Sequence, residues 1–204
     1  MRNQRVHYPC LQAAETPQEP NVSILEELTP SPLVRRFARQ IIDGLSGKPL
    51  LDVACGSGRN AFALARLGCA VVCIDKDLTP IRTELLRLSK TSFSKTAAQL
   101  VLQRMDLVED PWPFRESSVG GIVNIHCLLP SLFPCFESAI SPDGYLLIET
   151  VPGCGGNYRH LPKAGELEAA FDKSFILEFY NERRVGPSDS DAVTVRLLGK
   201  RKNG

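Results

Sequence analysis

The sequence has no apolar stretch long enough to span a bilayer, and its opening, M-R-N-Q-R-V-H-Y-P, has no apolar core of signal-peptide length. A membrane span and a secretory leader are not expected, and a cytoplasmic protein is. A charge field is also missing. Twenty-four Lys+Arg against 23 Asp+Glu leave a net charge of +1. Such a balance does not steer a protein towards nucleic acid or an anionic membrane. The basic tail, Gly199-Lys-Arg-Lys202, is short and reads as a solvated end. The seven cysteines are odd in number and lack C-x-x-C pairs, and several sit inside apolar runs. That argues against a disulfide framework and a zinc site, and for a reduced compartment. There is no internal repeat, no linker long enough to separate a pair of domains, and no catalytic triad.

What is present suits one globular domain. Its 204 residues are 43% hydrophobic and 23% charged, enough for a sizeable core. Residues 1–30 are polar and punctuated by Pro9, Pro17, Pro20 and Pro30, and read as an irregular arm with a short helix around Ser23–Leu28. Ser31 and Pro32 suit an N-cap and first helical residue, and Val34, Phe37, Ile41 and Leu45 give that helix an apolar face.

Strands and helices then alternate. Buried strands are expected at Pro49–Ala54, Cys69–Ile74, Leu100–Met105, Gly121–Ile125 and Tyr145–Thr150. The helix Asn60–Leu67 ends at Gly68, and Thr79 and Pro80 open another with Ile81, Leu85 and Leu88 on its inner face. A short helix across Leu132–Ile140 leads to a turn, Ser141-Pro-Asp-Gly144. Continuous apolar runs alternating with helices mean a parallel sheet covered on both faces. Phe175–Asn181 and Ala192–Leu198 instead alternate in polarity around a turn-rich segment, and read as a closing antiparallel hairpin.

The chemistry centres on L-D-V-A-C-G-S-G-R-N at 51–60. Gly56-Ser-Gly58-Arg-Asn60-Ala61 fits G-x-G-x-x-G/A between a strand and a helix. Asp75 follows Gly56 by 19 positions and ends the next strand, where a carboxylate can accept both hydroxyl protons of a ribose. Without a ligand the same residues would be only a tight strand-to-helix turn. A nicotinamide oxidoreductase is one reading. Against it stand Asp52, which would oppose a pyrophosphate, the closing hairpin, and the little chain left for a substrate domain.

With its Asp52 and its glycines, this stretch resembles motif I of the class I S-adenosylmethionine-dependent methyltransferases, D/E-x-G-x-G-x-G, with Ala54 in place of the first glycine. The likeness covers roughly residues 31–200 and is strongest to small bacterial enzymes of the tellurite-resistance and thiopurine type. It implies a Rossmann-like α/β fold, a doubly wound, mostly parallel seven-stranded sheet with a C-terminal antiparallel hairpin, in one domain over 31–204 behind an arm or lid at 1–30.

It also implies S-adenosyl-L-methionine as cofactor. By position, Asp52 would take the methionine ammonium, and the backbone around Ala54, Gly56 and Gly58, with Asn60, would hold the amino-acid portion. Asp75 would bind the ribose and Lys76 would lie beside the adenine. Asp106 would accept from the adenine amino group, Leu107 would donate a backbone N–H, and Asn124 and Ile125 would close the fourth strand beside them. No metal is implied.

His126 would face the methyl, or is a histidine hydrogen-bonded for structure. Tyr158, Arg159 and His160, in the glycine-rich segment 153–160, would line an acceptor pocket, or belong to a plain surface loop. Trp112, between two prolines, reads as a hydrophobic anchor rather than a stacking platform. The acceptor is expected to be a small molecule, such as a thiol or chalcogen compound, and the protein a monomer or homodimer. A protein that binds S-adenosylmethionine for regulation without catalysis fits the same residues.

Overall fold

The computed structural model describes residues 29–88, 99–151, 161–186 and 190–203. The arm up to residue 28 lies outside them, as do Tyr158, Arg159 and His160.

Helix α1 (Pro32–Asp43) starts as its sequence predicts. The Ser31 side chain accepts from the Leu33 N–H, and Pro32 occupies the first turn, where a missing N–H costs nothing. Strand β1 (Leu50–Val53) leads to α2 (Arg59–Arg66), β2 (Val71–Asp75) to α3 (Thr79–Leu88), and β3 (Leu100–Arg104) follows. Next come β4 (Val119–Ile125), a 3₁₀ turn (Pro130–Leu132), α4 (Phe133–Ala139) and β5 (Ile140–Glu149). Helix α5 (Glu166–Phe171) precedes β6 (Phe175–Arg184) and β7 (Val193–Arg201).

The strands form one seven-stranded sheet in the order β3-β2-β1-β4-β5-β7-β6. The first five are mutually parallel, whereas β7 runs antiparallel to β5 and β6 antiparallel to β7. The chain thus bears out the expected α/β sheet and its closing hairpin. Every residue of β1 and β4 is buried, because helices cover both faces. On one face Val34, Ile41, Phe62, Leu64 and Ile81 of α1, α2 and α3 form a core cluster. On the other, Phe136 of α4 and Leu167 and Phe171 of α5 pack against Leu51, Ile122 and Val195 of the sheet. Parallel strands place the C-terminal ends of β1, β2, β3, β4 and β5 along one edge. Candidate site residues collect there, as in other open α/β sheets.

Two local expectations change, and one helix is unexpected. Ser141-Pro-Asp-Gly144 does not precede β5 but belongs to it. The register of β5 against β4 shifts between Val119 and Gly121, and Asp143 has φ +63°. A side chain on Gly144 would meet the Gly120 carbonyl oxygen at 2.5 Å, so the strand bulges and continues rather than turning away. Thr79 is inside α3, and the side chain that accepts its N–H is Asp77, at 2.9 Å. Helix α5, with only six residues, is too short for a periodic pattern to announce itself. Trp112 is the anchor expected, stacked obliquely on Phe114 and Phe136 at 5.1 and 5.7 Å between ring centres.

Candidate functional site: a cleft at the tips of β1, β2 and β3

The loop after β1 is held in left-handed backbone conformations, with φ of +58° at Ala54, +55° at Gly56 and +82° at Gly58. The two glycines serve different ends. A Cβ on Gly58 would stand 2.6 Å from the Ile81 side chain of α3, so that glycine lets two helices approach. A Cβ on Gly56 would meet nothing within 4 Å. Its bare face has open space beside it, where a ligand can touch main chain. Ala54, where the motif it resembles has its first glycine, carries the left-handed strain that glycine would avoid, about 1–2 kcal/mol.

Asp75 crosses to this loop. Its Oδ2 accepts from Gly56 N at 2.9 Å, and its Oδ1 accepts from Asp77 N at 3.1 Å. Beside it runs a cleft of about 170 Å³, lined by Ala54, Asp75, Lys76, Met105, Asp106 and Leu107, with Val108, Cys127 and Leu129. Five sequence-predicted residues therefore meet in one place. Whole-ligand pockets usually span ~300–1,000 Å³, so this one suits a nucleoside better than a whole cofactor. Apolar Met105, Leu107 and Leu129 offer walls for a flat ring. Asp106 is fixed by an Asx turn, its Oδ1 accepting from Val108 N at 3.0 Å. Two carboxylates against the single ammonium of Lys76 make the cleft poor for a pyrophosphate and good for hydroxyl and amino donors.

Other predicted residues sit behind the cleft rather than in it. Asp52 is 1% exposed, and its Oδ2 accepts from Ala61 N, in the first turn of α2, at 3.1 Å. Burial pushes its carboxyl up to about 7, against the pull of that hydrogen bond and of the Arg59 charge. A buried carboxyl at a helix N-terminus is ready to ionise when a cation approaches. Asn60 is buried, and its Oδ1 accepts from Ser31 N at 2.9 Å. Asn124 donates from Nδ2 to the Val53 carbonyl at 3.2 Å, tying β4 to β1, and Ile125 is core.

Residues 51–147, from β1 to β5, match a family model described as a methyltransferase domain. That stretch takes in the loop after β1, Asp75, Asp106 and His126, and over it the chain is similar to methyltransferase domains. Ubiquinone biosynthesis O-methyltransferase of Actinobacillus pleuropneumoniae serotype 5b (strain L20) is 27% identical over 143 residues, 68% of this chain. The chain spans 60% of that relative's length. Among solved structures, TehB from Haemophilus influenzae superposes with a TM-score of 0.64 at 19% identity, over 83% of this chain and 61% of its own. Geranyl diphosphate methyltransferase in complex with SAM gives 0.58 at 14%, over 85% and 93%. At these identities the structures share the fold.

His126 follows β4 directly with φ +66°, and its backbone N–H donates to the Glu149 carbonyl at 2.7 Å. Its Nε2 lies 3.8 Å from Glu149 Oε2, with 39% of the side chain exposed. Partial burial holds the imidazole below its ordinary range, as do the charges of Arg59 and Arg196, while Glu149 opposes them. The net effect favours the neutral imidazole, the form that can accept a proton.

Sequence reasoning missed Glu149, which is 3% exposed and accepts from Ser31 Oγ and from Arg196 Nε, the latter at 2.8 Å. A lone acid ending the apolar run Y-L-L-I-E was the available signal. Through Ser31 this carboxylate joins Asn60, linking α1, α2, β5 and β7 in one polar network behind His126.

Proposed function

We propose that this chain binds S-adenosylmethionine in the cleft beside Gly56 and transfers its methyl group to a small-molecule acceptor. One observation carries the reading. The carboxylates of Asp75, which anchors the Gly56 N–H, and of Asp106 share a cleft that suits ribose hydroxyls and an adenine amino group. Bound there, the cofactor supplies an electrophilic methyl on a sulfonium.

The protein's role is to bind and orient. Asp75 accepts from the ribose, Asp106 from the adenine amino group, and Leu107 and Met105 flank the ring. Asp52, ionised by the approach of a cation, balances the ammonium from beneath the loop. Neutral His126, backed by Glu149, takes the proton of an acceptor that must lose one. The relatives in ubiquinone biosynthesis are O-methyltransferases by name, and a proton acceptor at His126 suits a hydroxyl or thiol better than a tertiary amine. Positioning for in-line displacement supplies much of the remaining rate.

The test is release of S-adenosylhomocysteine from S-adenosylmethionine against phenols, thiols, chalcogen oxyanions and amines. Release above background with a hydroxyl or thiol compound is expected. Background release with every compound, despite cofactor binding, would contradict catalysis and favour a regulatory protein that only binds.

A further inference from the structure

A second groove, of about 410 Å³, opens beyond Glu149 at the same edge of the sheet. Its lining includes Thr150, Asn181, Arg183, Thr194 and Arg196, and none of its described lining residues is acidic. The ladder explains how these side chains meet. Arg196 of β7 stands opposite both Glu149 of β5 and Asn181 of β6, and Arg183 of β6 stands opposite Thr194. Directly opposed residues, and those two apart along a strand, share a face. Arg196 and Arg183 are therefore diagonal neighbours on one face, a relation that spans roughly 7–8 Å between backbones.

The charges do not cancel. Arg196 spends its Nε on Glu149 Oε1 and lines the groove with 53% of its side chain exposed. Arg183 is exposed and has no acidic partner among the described residues. With Glu149 neutralising one guanidinium, the groove keeps one net positive charge. Asn181 and the Thr194 hydroxyl add neutral donors around it. A guanidinium matches the planar oxygens of a carboxylate, and this groove is lined by two of them. The same Glu149 that holds Arg196 stands 3.8 Å from His126 Nε2, so the groove and the imidazole flank one carboxylate.

We infer that this groove is the acceptor subsite, and that the acceptor is a small acid whose carboxylate is held by Arg183 and Arg196 while its nucleophile reaches His126. The inference rests on the proposed methyl transfer for its chemistry, but the anion site stands on its own geometry. It narrows the acceptor from any small nucleophile to one that carries an acid group.

The test uses two probes of equal shape, 4-mercaptobenzoate and 4-mercaptobenzamide, titrated calorimetrically into the full-length protein with and without S-adenosylhomocysteine. The carboxylate probe should bind at least tenfold more tightly than the amide. Arg183→Gln should abolish most of that preference, Arg183→Lys should keep some of it, and neither should alter the affinity for S-adenosylhomocysteine. Equal binding of the two probes, no binding of either, or a preference that survives Arg183→Gln would overturn the subsite. Failure of S-adenosylhomocysteine to bind, with the carboxylate preference intact, would overturn the methyl-transfer reading and leave the anion site standing.

Discussion

A methyl group added to Gly58 would lie 2.6 Å from Cδ1 of Ile81, while one added to Gly56, two residues earlier, would touch nothing. The two glycines of the motif are thus separable by experiment. Gly58→Ala should lower stability by roughly 2–4 kcal/mol, from overpacking plus left-handed strain. Trimming Ile81 to Ala in the same chain should return some of that loss. Gly56→Ala should cost roughly 1 kcal/mol of stability and nonetheless remove most of the cofactor affinity. Thermal melts and calorimetry on the two variants separate these effects. Equal stability losses would contradict the assignment.

Asp52 makes stability depend on pH. Its folded carboxyl titrates near 7, above the ordinary 3.8, because burial disfavours the charge. Between those values the native state keeps a proton that the unfolded chain has lost. The contribution is therefore whole below about pH 3.8 and is lost as pH rises towards 7. Asp52→Asn keeps an acceptor for Ala61 N and has no charge to bury. It should be the more stable protein at pH 8, by on the order of 1–3 kcal/mol, with the gap closing towards pH 4. The same variant should bind S-adenosylmethionine more weakly at pH 8. Melting curves across pH measure the first effect, and a gap that widens on acidification would refute the argument.

Glu149 should prove structural as well as functional. It is buried, and Ser31, Arg196 and His126 all converge on it. Glu149→Ala leaves the Ser31 hydroxyl without its acceptor and should cost roughly 2 kcal/mol or more. Arg196→Ala should cost less, since much of that side chain is in water. Denaturant titration of both variants gives the comparison, and the reverse order would count against a network centred on Glu149.

If His126 takes a proton from the acceptor, its rate profile follows from its charge. The imidazole is held below its ordinary 6.5 by burial, so the active neutral form predominates at pH 7. Turnover should be level above pH 7 and fall only below about 6.5. His126→Asn, which tolerates the left-handed backbone at this position, should lower kcat roughly 10²-fold or more and spare cofactor binding. A profile whose midpoint lies above pH 7 would assign the base elsewhere.

How much of the fold and site is legible in the sequence follows from how far apart the partners lie in the chain. The strand-to-helix loop at 51–60 and Asp75 declare themselves because the spacing is short and the backbone demand local. The succession of strands along the chain and the closing hairpin are readable from apolar runs giving way to alternation, whereas their order in the sheet is not. The separate duties of Gly56 and Gly58 are not, since they depend on where Ile81 of another helix comes to rest. Glu149 and Ser31 are 118 residues apart, and no local pattern joins them. Asp52 reads in sequence as a cofactor ligand, and its bond to Ala61 becomes visible only with the helix in place.

The most direct measurement is calorimetric titration of the protein with S-adenosylhomocysteine, S-adenosylmethionine and NADH, repeated on Asp75→Ala. Cofactor binding through the Gly56 cleft predicts affinity for the two adenosyl sulfur compounds and little for NADH. It also predicts a loss of at least tenfold, about 1.4 kcal/mol, in the variant. Tight NADH binding with no heat from either sulfur compound, or full affinity retained by Asp75→Ala, would contradict it.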